Sequence, residues 1–268
     1  MAELENIPPP LIEADELCLP RDQFLENEAN NHCLDFDQMS CQYPILLEIL
    51  KEHPLCYALS ETPVAPEVYV QQFWRSLRYV RVNIPGRSHF FGRIDSRNVK
   101  LTLPMFRRIL SLPEANTIQN PLPNIEATPR FVVPLEDNEI CAAVRQLGYT
   151  RELPLPGRFK RMYLANLWYT LFSILNRCLS CRTKGIDQCT SNFLYLLVAC
   201  ATNRHVDYAL ILWKELKEVV EDKAKPNKDR VFLPFPRFLA LIMRNIMRHH
   251  RPQIPLRSDR PIVPLHPM

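Results

Sequence analysis

Glycine is scarce in this sequence. Five residues of 268 are glycine, where average usage would place about 19. They stand at Gly86, Gly92, Gly148, Gly157 and Gly185, with no two closer than six positions. Neither G-x-G-x-x-G nor G-x-x-x-x-G-K-[ST] nor G-x-S-x-G can be written with them. Those devices need backbone free of Cβ at close spacing, so phosphate cradles and nucleophile elbows are excluded in their usual form. Long apolar runs are lacking too. The longest uncharged stretch, from Gln188 to Asn203, has 16 residues and includes several polar ones, short of the ~20 apolar residues that a membrane span needs. The opening residues have neither a basic nor an apolar leader region, so no secretory signal or membrane partner is expected, and the expected location is intracellular, in cytoplasm or nucleus. Nine cysteines fall without framework spacing and read as reduced thiols rather than disulfides.

Proline supplies the counterweight, with 25 residues against about 13 for average usage. Charge is also unevenly spread. The formal net charge is +4. Residues 1–41 hold ten acids and one base (Arg21), residues 42–222 hold 22 bases and 17 acids, and residues 223–268 hold ten bases and two acids. Residues 1–41 therefore read as an acidic disordered arm containing Pro8, Pro9 and Pro10. Order is expected from about Tyr43.

Hydrophobic spacing predicts a helix from Pro44 to Pro54 and a second from Pro66, with Val70, Phe73, Trp74 and Leu77 on one face. The period then shortens. Val80 to Ile84, Phe90 to Ile94 and Val99 to Leu103 read as a small antiparallel meander, and a helix follows from Pro104. Residues 112–134 carry Pro113, Pro121, Pro123, Pro129 and Pro134 and read as a linker. Further helices are predicted from about Leu135 to a stop at Gly148, from Lys160 to Cys181, from Ser191 to Thr202, from His205 to Glu221, and from Phe235 to His250. Residues 251–268 form an extended, basic, proline-rich tail. The expected fold is thus mainly α: a helical domain over 42–250 with a small β meander, between an acidic arm and a basic tail.

Several segments carry a resemblance in collinear order. They are Tyr69-Val70-Gln71-Gln72-Phe73-Trp74, Val99-Lys100-Leu101-Thr102-Leu103 with Phe106-Arg107-Arg108-Ile109-Leu110, and Gln146-Leu147-Gly148-Tyr149. Ser173-Ile174-Leu175-Asn176-Arg177-Cys178-Leu179-Ser180 and Thr183 to Gln188 follow, then His205-Val206-Asp207 and Leu233-Pro234-Phe235-Pro236-Arg237-Phe238. Over roughly residues 43–250 the chain resembles the helical domain of plant retrotransposon-derived proteins, those described as putative plant transposon or gag-like proteins. Cys181 departs from the family's wording, in which glycine follows the Cys-Leu-Ser run. The resemblance implies an origin in a transposable element and no catalytic role.

Candidate chemistry is sparse. Cys178 and Cys181, with Cys189 and His205 beyond, invite a zinc reading, but a retroelement knuckle would need His at 186 and Cys at 191, where Ile186 and Ser191 stand. Buried thiols are the preferred reading. No H-E-x-x-H, Asp-Thr-Gly, Asp-Ser-Gly or Tyr-x-Asp-Asp occurs, although distant carboxylates could still converge on Mg²⁺. Trp74, Trp168 and Trp213 lie on apolar stripes and read as core. The sharpest feature is C-terminal. Arg237, Arg244, Arg248 and Arg251 fall within about 60° of one another on a helix, opposite Leu239, Ile242, Met243 and Ile246. That face reads either as a solvated side of a packed helix, the commoner use, or as a surface that neutralises phosphates. The functional expectation is a non-enzymatic, gag-like scaffold without metal, cofactor or small-molecule substrate. It would self-associate and touch RNA or DNA through those four arginines. The alternatives are a DNA-transacting enzyme of the transposase or integrase type, or a degenerate element with no selected function.

Overall fold

The structure is a computed structural model and describes residues 22, 24–26, 31–38, 42–84, 86–95, 97–114, 135–182, 189–203, 206–223 and 232–250. Among them the chain is mainly helical, with one small sheet, as its periodicity predicts. The helices are α1 (Pro44–Glu52), α2 (Cys56–Ser60) and α3 (Glu67–Ser76), followed after the sheet by α4 (Leu103–Ile109) and α5 (Asp137–Gln146). Then come α6 (Asn166–Leu179), α7 (Ser191–Ala201), α8 (Tyr208–Lys223) and α9 (Pro236–His250). None of these helices is long and apolar enough to cross a membrane. Most of the proposed linker, 115–134, and the whole tail, 251–268, lie outside the described residues, as do residues 1–21 of the arm.

Strands β1 (Arg78–Val80), β2 (His89–Ile94) and β3 (Arg97–Thr102) form an antiparallel sheet in sequence order. Tyr79, Phe90 and Leu101 stand opposite one another across it and face the helices. Phe90 lies 4.3 Å from the Trp213 ring of α8, and Gly92, two residues along, is where α3 closes on the sheet. A Cβ at Gly92 would stand 2.6 Å from the Phe73 ring, so only glycine allows this approach. The first strand differs from the expectation. It lies at 78–80, because the alternation from Arg81 to Ile84 belongs to the turn segment. Beyond the short β1, the backbone of Arg93 is completed by the Ser76 hydroxyl, which accepts from its amide (2.7 Å) and donates to its carbonyl (3.1 Å).

Helix starts follow local chemistry. Pro44 occupies the first turn of α1, where a missing N–H costs nothing. Thr102 caps α4 by accepting from the Met105 amide, and Thr190 caps α7 by accepting from Phe193. Glu136 and Glu139 form a reciprocal capping box at α5. Gly148, with φ +82°, follows α5 as the stop that the sequence predicts. The predicted helix from Lys160 begins only at Asn166, since Arg161–Tyr163 form a 3₁₀ turn.

Trp74 and Trp213 are core residues, as expected, while Trp168 is only half-buried. Order also begins earlier than Tyr43. Residues 31–38 of the acidic arm lie on the fold, with Asn31, Cys33 and Leu34 buried.

Candidate functional site

The C-terminal arginines divide between fold and surface. Arg237 is 0% exposed and is not part of a phosphate-facing surface, which corrects the expectation for this residue. Its guanidinium is spent on main-chain carbonyls. Nε donates to Asn31 O (3.2 Å), Nη1 to Glu61 O (3.2 Å), and Nη2 to Ala58 O and Cys178 O (2.9 Å). Ala58 and Glu61 belong to the C-terminal end of α2, and Cys178 to that of α6. Both ends carry partial negative charge from carbonyls without helical partners. Burial draws the guanidinium pKa down, and the carbonyls around it supply compensating negative charge.

Arg244 stands seven residues on, two turns along the same face. It is paired as well, donating from Nη1 to the Glu61 carboxylate and from Nη2 to Tyr57 Oη (2.8 Å). The heptad spacing therefore docks α9 onto the end of α2, where Glu61 contributes both its carbonyl and its carboxylate. Arg248 is exposed, and Arg251 lies outside the described residues. Of the four expected phosphate contacts, one is thus sealed in the core and a second is engaged in an ion pair.

Asn31 completes the same junction, and no local sequence signal marks it. Its backbone amide donates to Arg177 O (2.7 Å) and its side-chain amide to Cys178 O (2.7 Å). Its Oδ1 accepts from the Phe238 amide (2.9 Å) and so caps α9 from 207 positions away. The residue holds φ +107°, a region in which asparagine is more tolerable than most side chains. Nearby, Leu34 N donates to Leu59 O and Cys33 Sγ to Ser60 O. The carbonyls of Ala58, Leu59 and Ser60 at the end of α2 are thus each met by chain from elsewhere.

Three of the described thiols are inert by placement. Cys178, Cys189 and Cys200 are buried, and burial pushes each thiol up to about 12, far from the thiolate that metal binding or nucleophilic attack requires. Among the described residues no group of three or more His, Cys, Asp or Glu is placed to hold a metal ion. His205 lies outside the described residues.

The feature with the geometry of a binding site lies elsewhere. An apolar groove of about 240 Å³ opens between α1, α6 and α7, lined by Ile45, Ile49, His53, Leu167, Trp168 and Cys200 among others. Ile45 and Ile49, one turn apart on its rim, are 60% and 51% exposed. His53 is held by two partners: Nδ1 accepts from the Leu55 amide (3.1 Å), and Nε2 meets Tyr208 Oη at 3.2 Å. The first bond assigns the proton of the neutral ring to Nε2, which therefore donates to the tyrosine oxygen. Burial lowers the His53 pKa to about 4, so the ring is uncharged at neutral pH and the groove is unbroken by charge. Leu46 and Leu50, on the same helix, are buried in the core, and sequence reading predicted that helix without separating them from Ile45 and Ile49. It missed the groove because Ile45 and Ile49 carry the same apolar signal as their buried neighbours.

No protein-family model, no curated protein and no solved structure matches the chain.

Proposed function

We propose that the chain is a non-catalytic, self-associating scaffold of the retrotransposon-derived, gag-like kind that its motifs resemble. The observation that carries the reading is the groove between α1 and α6 with Ile45 and Ile49 exposed on its rim. A two-fold contact needs one surface that is complementary to itself. An apolar ridge beside an apolar groove meets that need, the ridge of each copy entering the groove of the other. The groups that line it favour binding over chemistry. His53 is neutral and committed to Tyr208, and the Cys200 thiol is held protonated.

Light scattering and sedimentation of the full chain test the proposal. The wild type is expected to associate with rising concentration, and an Ile45→Asp/Ile49→Asp variant to remain monomeric with unchanged circular dichroism. Both side chains are exposed, so the variant keeps its core. A wild type that stays monomeric at the highest soluble concentration overturns the reading.

A further inference from the structure

The segment between α5 and α6 is a closed loop. Its ends meet where the Thr150 amide donates to Tyr163 O (2.9 Å) and the Thr150 hydroxyl to the same oxygen (3.3 Å). Two 3₁₀ turns, Pro156–Arg158 and Arg161–Tyr163, shape the path between them. One residue in three points inward. Leu153, Pro156 and Phe159 are buried, and the residues between them are exposed. Phe159 anchors the loop, its ring 5.5 Å from Tyr149 and 5.1 Å from Phe172 of α6. Main-chain bonds hold it further, with Tyr149 Oη accepting from the Lys160 amide (3.0 Å) and Leu153 O from Arg145 Nη2 (3.0 Å).

The pinned interior sets what the loop shows to solvent. Leu155 is 56% exposed and Met162 66%, although the loop's other large apolar side chains are packed. Leu155 is outward by register, two residues after Leu153 and one before Pro156. Residues 150–163 carry Arg151, Arg158, Lys160 and Arg161 against one carboxylate, Glu152. Arg151 lies 4.5 Å from the Tyr163 ring centroid and Arg161 5.1 Å from that of Tyr169. Arg158 and Lys160 are exposed and stand in sequence between the two apolar tips. The acidic first turn of α5, with Asp137 and Glu139, is at the far end of that helix from Arg145, the residue that meets the loop.

We infer that this loop is a docking site for an anionic membrane surface. Leu155 and Met162 would enter the headgroup layer, while the cations meet lipid phosphates and carboxylates. Compact closed loops commonly carry binding functions, and this one pairs exposed apolar tips with cations. A nucleic acid would use the cations and leave Leu155 and Met162 in water. An apolar protein groove would use the tips and bury the cations unpaired. The headgroup layer accommodates both, and tyrosine is at home at that depth. Such a loop lies on a membrane without crossing it, which goes beyond the sequence expectation of no membrane partner. The docking is independent of the self-association proposed above.

The test is cosedimentation of the full chain with vesicles of phosphatidylcholine alone and of phosphatidylcholine with phosphatidylserine, at low and high salt. The wild type is expected to sediment with the serine-containing vesicles and to be released by salt. Arg158→Gln/Lys160→Gln should weaken that binding about 25-fold, at about fivefold for each cation near the surface. Leu155→Ser/Met162→Ser should weaken it by about tenfold or more through lost apolar burial. Ile45→Asp/Ile49→Asp should still dock, which separates this site from the association groove. Absence of sedimentation with the serine-containing vesicles at low salt overturns the inference. So does equal sedimentation with the neutral vesicles, binding that both loop variants retain, or binding lost in the groove variant alone. A labelled single-stranded RNA is titrated in parallel, and binding to RNA without binding to vesicles overturns it as well. Urea unfolding of each variant confirms that the comparison is made on folded protein.

Discussion

Arg237 is a cation whose counter-charge is backbone. Four carbonyls from three segments converge on its guanidinium, and removing it takes a donor from each of them. Arg237→Met is therefore expected to cost about 3–5 kcal/mol in urea unfolding, and Arg237→Lys should recover little, because a single ammonium cannot span the four acceptors. Arg248→Ala, at an exposed position, should stay within about 0.5 kcal/mol. Two other buried groups set opposing pH dependences. Glu215, in the middle of α8, accepts from the Thr190 hydroxyl at 2.6 Å, and burial raises its pKa above 4.5, with Glu218 adding in the same direction and Thr190, Asn192 and Arg182 opposing. Its folded pKa exceeds its unfolded one, so it subtracts stability as pH rises from 4.5 through the folded value. Glu215→Gln should thus stabilise the protein at neutral pH, with the gain fading towards about pH 4. His53 acts in the other sense. Its pKa is lowered from 6.5 to about 4, so the stability of its neutral form is lost as pH falls across that interval. His53→Gln should flatten that acid limb of the unfolding midpoint.

At the scale of elements, the ends of the helices explain what the scarcity of glycine entails. A left-handed glycine closes the end of α5 at Gly148, but α2, α3 and α6 pass directly into extended residues, Glu61, Leu77 and Ser180. Their terminal carbonyls are met by distant cations and amides. Arg237 serves α2 and α6. Lys223, at the end of α8, donates to Trp74 O, Arg75 O and Leu77 O at the end of α3, with its ammonium 4.8 Å from the Trp74 ring. Closure in trans couples each helix to another. Hydrogen exchange should show this directly: Asn31→Ala is expected to abolish protection of the Phe238 amide and to lower it at the start of α9, while amides in the middle of α7 keep theirs. Equal loss of protection throughout both helices would instead mean global destabilisation.

For the whole molecule, the sequence revealed the helices with a strong stripe and the meander, because both are local periodicities. Leu171, Ile174 and Leu175 on α6 and Leu239, Ile242 and Met243 on α9 are buried where spacing put them. The sequence did not reveal which cations are consumed by the fold. Arg237 and Arg248 share a helical face, and only the position of α2 against that face separates the sealed one from the exposed one. Nor did it reveal Asn31, whose partners lie 147 and 207 positions away. Burial also settles which of the described thiols can react. Brief alkylation of the native protein, read by mass spectrometry, should mark Cys56 and Cys181, which are half-buried, and spare Cys178, Cys189 and Cys200. Rapid labelling of the latter three would contradict the packing described. The junction at Arg237 finally bears on how the chain comes to be folded at all. Synthesis delivers Asn31 first, the end of α6 some 147 residues later, and Arg237 59 residues after Cys178. Until that arginine leaves the ribosome, the ends of α2 and α6 lack one of their donors and the N-terminal strap has no α9 to cap. A chain that stops before residue 237 lacks both the shared donor of those two helix ends and the helix that Asn31 caps.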